Sequence, residues 1–159
     1  MGTHSLIVMR VQQPDGSFKV WCTLYQQFDG YMSGVGKTLF TFLADMSLVN
    51  GIPITLDPAT MKPQSPKNVA NGPGCLFARI VTLMKLECGR YDQKGNDFPG
   101  GAYLCDPSEW ESDQQEYNYF VDVCDNNKTI MVKACHGDTL LFEGTPRDAL
   151  NFKGKDKDE

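Results

Sequence analysis

A β-branched and apolar run from His4 to Val11 predicts a first strand, and Phe18 to Tyr25 predicts a second. Pro14-Asp15-Gly16 between them is turn chemistry, so the two form a hairpin. With the turn centred near Asp15 and Gly16, the antiparallel register sets His4 opposite Gln26. The polar start Thr3-His4-Ser5 then lies beside the polar end of the second strand. Leu39, Phe42, Leu43 and Met46 follow the helical spacing i, i+3, i+4, i+7 and predict a helix from Val35 to Leu48, closed by Asn50-Gly51. Each of those side chains contributes about 1.5–3 kcal/mol when buried, before entropy is counted.

Residues 52–68 carry Pro53, Pro58, Pro63 and Pro66 and no apolar period, which predicts a loop, either a lid or a crossover. A second helix opens at Asn71-Gly72-Pro73-Gly74 and runs to Glu87, apolar on more than one side, with Gly89 as its C-cap. Ala102 to Cys105 predicts a short strand, and the acidic stretch 106–116 a solvated connection. Tyr117–Cys124, Lys128–Cys135 and Thr139–Phe142, separated by Asp125-Asn126-Asn127 and His136-Gly137-Asp138, predict a three-stranded meander. Thr145-Pro146 opens a last short helix. The expected fold is one α+β domain over residues 1–152: an antiparallel sheet, made of the N-terminal hairpin and the C-terminal meander, with two main helices packed on it. Residues 153–159 form a charged tail expected to be disordered.

Composition narrows the classes. The chain of 159 residues is 41% hydrophobic and 22% charged, ordinary globular values. A net charge of −5 argues against general nucleic-acid binding. No stretch has the pattern of a signal peptide or a membrane span, so the expected location is cytoplasmic. Leu6 stands where a myristoylation signal needs Ser or Thr. None of the six cysteines has C-x-x-C spacing, so no metal site is expected, and without a secretory signal they are read as reduced thiols; no cofactor is expected.

The chemistry concentrates in Tyr25–Thr38, YQQFDGYMSGVGKT, between the second strand and the first helix. Gly36-Lys37-Thr38 imitates the end of a phosphate loop, but the first glycine of that pattern falls at Tyr31, with Gly30 one place early. A milder form keeps Ser33 as helix cap and uses Gly34 and Gly36 for close approach of an anion to the helix N-terminus. A glycine-rich turn is also what any strand-to-helix connection uses, but that does not account for Gln26, Gln27, Asp29, Tyr31 and Ser33 crowding one turn. Two helices start at such turns; if both point to one end of the sheet, an anionic ligand fits between them. Cys135, His136 and Asp138 suggest a nucleophile, yet neighbours on a strand face opposite ways, which favours a plain hairpin turn. Tyr119-Phe120-Val121-Asp122 resembles a Walker B strand but sits in the meander.

MGTHSL, YQQFDGYMSGVG, NGPGC, EYNY and LFEGTP occur in this order along nearly the whole chain. In this the sequence resembles a family of small uncharacterised proteins of bacteria, phages and large DNA viruses, whose motifs run MGTRSL, YRQFDGYPSGxG, NGxGC, EYxY and LFEGTP. The resemblance implies no activity. It points to Gln27, Asp29, Gly30, Tyr31, Ser33, Gly34, Gly36, Asn71, Gly72 and Gly74. The chain departs from the pattern at His4 and Gln26, where the family has arginine, and at Met32, where it has proline; two positive charges for an anion are lost.

Three functional readings follow. The first is a non-catalytic domain binding a small ligand, a nucleotide or other anion, through the turn 26–36 and the turn 71–74. The residues are Gln26, Gln27, Asp29, Gly30, Tyr31, Ser33, Gly34, Gly36, Asn71, Gly72 and Gly74. The second is a hydrolase or transferase with Asp29 as acid or base, assisted by His4. The third is a protein–protein interaction module or homo-oligomer. In a viral setting the location becomes the host cytoplasm.

Overall fold

The computed structural model describes residues 2–51, 55–64, 67–87, 101–106 and 115–154. The predicted hairpin is present as β1 (Ser5–Gln12) and β2 (Phe18–Gln26). The predicted meander is β8 (Tyr117–Cys124), β9 (Thr129–His136) and β10 (Thr139–Gly144). With β7 (Ala102–Leu104) they make one six-stranded sheet in the order β10-β9-β8-β1-β2-β7. The molecule is a single compact α+β domain. One junction is not antiparallel: β1 and β8 run parallel, Ser5 beside Tyr117 through Val11 beside Val123. A parallel pair needs a long connection, and here it contains both main helices.

Hairpin register departs from the expected one by one residue. Gln12 pairs with Phe18 as the turn dictates, but Met9 pairs with Cys22 while Arg10 pairs with Val20. Trp21 is therefore the extra residue of a β-bulge. Beyond it Ser5, not His4, stands opposite Gln26. Because side chains alternate faces, the slip puts His4 and Gln26 on opposite sides of the sheet.

The first helix is also shorter than predicted. Met32–Gly36 form a turn of π-helix, and α1 covers only Lys37–Ala44. Asp45 leaves helical geometry at φ −106°. Ser47–Val49 become β3, paired in parallel with β6 (Val69–Asn71), and Asn50-Gly51 ends this strand instead of the helix. Helical spacing continued through Met46, but the strand ladder satisfies the backbone of Ser47–Val49 better than a helix end without a cap. Within 52–68, β4 (Thr55–Leu56) and β5 (Pro63–Gln64) form a small exposed hairpin. α2 (Gly72–Glu87) matches its predicted span, while Gly89 lies outside the described residues. α3 (Pro146–Asn151) is capped by Thr145, whose Oγ1 accepts from the N–H of Asp148 at 3.2 Å. Lys153 and Gly154 are exposed; the rest of the tail lies outside the described residues.

Both main helices lie over one face of the sheet. Leu39, Phe40 and Leu43 of α1 and Leu76, Phe77, Ile80 and Met84 of α2 form one cluster with strand residues such as Ile7, Leu24, Tyr119 and Val121. On the other face Arg10 makes a two-pronged ion pair with Asp122, at 2.7 and 2.8 Å, and its guanidinium lies 4.5 Å from the ring centres of Phe18 and Phe120. The carboxylate of the Walker-like segment thus fixes the β1–β8 junction. Among the described residues no helix is long and apolar enough to cross a membrane.

Candidate functional site

The turn after β2 is stitched to the strands beneath it. Gly30 donates its N–H to the carbonyl of Thr3 at 2.9 Å, and its own carbonyl accepts from Tyr119 Oη at 2.6 Å. A Cβ on Gly30 would stand 2.8 Å from that Thr3 oxygen, one on Gly34 only 2.2 Å from the carbonyl oxygen of Asp29, and one on Gly36 3.1 Å from the Tyr119 ring. None of these three needs glycine for a left-handed backbone; each is glycine because another group occupies the space. The left-handed residue is Asp29 (φ 54°), a residue type that tolerates it.

This packing uses the groups a phosphate would need. The N–H of Gly34 bonds to Tyr31 O, that of Val35 to Asp29 O, that of Gly36 to Tyr31 O, and that of Lys37 to Gly34 O. A phosphate loop aims such N–H groups outward; here four of them point into the turn. Ser33 sits inside the π-turn and does not cap α1, whose N-cap is Gly36 with no side-chain hydrogen bond.

The bulge sorts the polar residues at this end of the sheet into two sets. On one face Gln27 links Tyr25 and His4: Tyr25 Oη donates to Gln27 Oε1 at 2.7 Å, and Gln27 Nε2 lies 3.0 Å from His4 Nε2. The His4 ring packs edge-on against Tyr25, which also packs on Tyr103. Burial, and secondarily the neighbouring Tyr103, pushes the Tyr25 phenol up from its ordinary value. His4 Nε2 is thus engaged by Gln27. The Asp29 carboxylate is exposed and bonded to none of the described residues, so no partner orients it as an acid or base.

On the helix face, one row across the sheet reads His136, Tyr117, Ser5, Gln26, Ala102. Tyr31 lies edge-on over Tyr117, and Gly30 covers Ser5. Lys85, in the last turn of α2, donates to the carbonyl of Ala102 at 3.0 Å. Enclosed here, Gln26 has no solvent exposure, and neither its Oε1 nor its Nε2 has a hydrogen-bond partner. Ser5 Oγ beside it is equally buried and equally without a partner. Each such group costs about 1–3 kcal/mol when left unmade.

The second turn is elsewhere. Asn71 and Gly72 line a cavity with Asn126, Asn127 and Lys128, at the Cys124 end of β8, whereas Gln26 stands level with Tyr117 at its beginning. The strand between spans ~23 Å at 3.3 Å per residue. A small ligand cannot sit between the two glycine-rich turns, because α1 and α2 start at opposite ends of the sheet. Gly74 faces Trp21, its absent Cβ 3.8 Å from the indole.

Of the residues beside Gln26, Ser5 was legible in the polar start Thr3-His4-Ser5, whereas Tyr117 was legible as a strand residue but not as a site residue. Alternation does place Tyr117 and Tyr119 on one face, and the turn that covers them is distant in sequence. Cys22, Cys124 and Cys135 are free thiols, each pushed above the ordinary value mainly by burial, which leaves Cys135 a poor nucleophile at neutral pH. Among the described residues no group of His, Cys, Asp and Glu could hold a metal ion. Comparison with protein-family models, with curated proteins and with solved structures gives no match for the chain.

Proposed function

We propose that this α+β domain is a non-catalytic binding protein for a small polar ligand, taken up beside Gln26 and Ser5 beneath the turn 26–36. The observation that carries the reading is the fully buried Gln26 carboxamide with neither polar atom partnered. Buried amides are otherwise hydrogen-bonded. A carboxamide and a hydroxyl side by side offer donors and acceptors and no charge. That matches a neutral hydrogen-bonding edge, such as the base of a nucleotide, better than a phosphate. The four internally bonded N–H groups of the turn agree with this preference.

The test is a thermal-shift screen with nucleosides, nucleotides and cyclic nucleotides on the wild type and on Gln26→Met. A ligand at a hundredfold excess over its Kd stabilises by about 2.7 kcal/mol. At 2–4 °C per kcal/mol for a chain of this size, that is a rise of roughly 5–11 °C. Methionine keeps the length of the side chain and removes the orphaned polar atoms. The variant should therefore melt higher than the wild type without ligand and lose the ligand response. A variant that melts lower, or keeps the full response, refutes the proposal.

A further inference from the structure

We propose that the cavity at the carboxyl ends of β3 and β6 is a separate binding site for a sugar phosphate. The two strands are parallel and end side by side, Val49 beside Asn71; a left-handed glycine follows Asn71 directly, Gly72 at φ 73°, and another follows Val49 after Asn50, Gly51 at φ 87°. Nothing lies within 4 Å of the position a Cβ would take on Gly72, so the backbone is open to the cavity there. Across the cavity the β8–β9 turn supplies Asn126, Asn127 and Lys128, and Asn50 completes the rim. The volume is about 560 Å³, within the range of small-molecule sites.

The side chains define the ligand class. Asparagine carboxamides both donate and accept, as sugar hydroxyls do. Asn71 is already oriented: its Oδ1 accepts from the N–H of Gly51 at 2.7 Å, which leaves Nδ2 as a donor. Asp125, Asn126 and Asn127 hold three consecutive left-handed conformations, at φ 53°, 56° and 65°, and the N–H of Lys128 closes the turn on the carbonyl of Cys124 at 3.0 Å. The Lys128 ammonium is paired with no carboxylate among the described residues. It suits one anionic group on an otherwise hydroxylated molecule. Among the described residues no carboxylate lines the cavity to repel it.

The experiment is a nitrogen-15 chemical-shift titration of the full chain with glucose 6-phosphate and ribose 5-phosphate, with glucose and inorganic phosphate as controls. Saturable shifts of the side-chain amides of Asn50, Asn71, Asn126 and Asn127 are expected with a sugar phosphate. Lys128→Met should weaken that binding about tenfold at unchanged Tm, and Lys128→Arg should retain it. Absence of saturable shifts with both sugar phosphates overturns the proposal. So does an equal response to inorganic phosphate alone, or a Lys128→Met variant that binds as the wild type does. Gln26→Met leaves this titration unchanged, so the two sites stand or fall separately.

Discussion

Gly36→Ala sets helix propensity against packing. Gly36 has ordinary helical angles, φ −57° and ψ −51°. Propensity alone makes alanine there more stable by about 0.5–1 kcal/mol. The added Cβ, however, would lie 3.1 Å from both Cε1 and Oη of Tyr119. That ring is fully buried, in edge contact with Phe40, and cannot swing into solvent. Overpacking of this kind costs about 1–3 kcal/mol. Moving Tyr119 also stretches its 2.6 Å hydrogen bond to Gly30 and leaves a buried carbonyl unmet, a further ~1–3 kcal/mol. After the propensity gain the net expectation is a loss of roughly 1–5.5 kcal/mol, read as a fall in the urea midpoint at constant m. In a Tyr119→Phe background the same substitution should cost less, with a coupling of about 1 kcal/mol, because the hydroxyl and its bond are already gone. A Gly36→Ala protein as stable as the wild type would falsify the view that this glycine exists for the tyrosine.

Three further outcomes are expected. Asp122→Ala leaves Arg10 half-buried between two rings without its partner and should lower stability by about 3 kcal/mol in urea, whereas the paired change Arg10→Met with Asp122→Leu should recover most of it. Asp29→Asn should keep Tm within about 1 °C, since both residue types tolerate the left-handed backbone, whereas Asp29→Val should cost about 1–2 kcal/mol; equal Tm for both variants would contradict the observed turn. Tyr25, Cys22, Cys124 and Cys135 all titrate higher in the fold than outside it, so their contribution is complete below the unfolded values and is lost as pH rises through the folded ones. Urea stability should accordingly be flat from pH 7 to about 8.5 on this account and fall above about pH 9; a rise across that window would show the sign to be wrong.

Much of the fold is local and so was readable. The hairpin, the meander, α2 and the Thr145-Pro146 cap each follow from a period or a turn within a few residues. Tyr25–Thr38 was likewise recognisable as the chemically dense stretch, because no ordinary connection needs so many polar side chains. The face on which each polar side chain falls was not readable. One extra residue at Trp21 moves Gln26 from beside His4 to beside Ser5, and a bulge has no clear mark in the local pattern. The parallel docking of β1 on β8 was also hidden, since it joins segments far apart in sequence.

The same division applies to the glycines and to the helix end. Sequence by itself determined that Gly30, Gly34 and Gly36 lie in a turn entering a helix. Only the tertiary structure decided that they are glycine to make room for Thr3, for the Asp29 carbonyl and for Tyr119. Apolar spacing carried the first helix through Met46, and the neighbouring strand Val69–Asn71 stopped it at Ala44. Propensity and periodicity act along the chain, so residues close in sequence fix them. Register, burial and the space beside a Cα depend on partners brought in from elsewhere, and buried groups left without partners, such as those on Gln26 and Ser5, exist only once that assembly is complete.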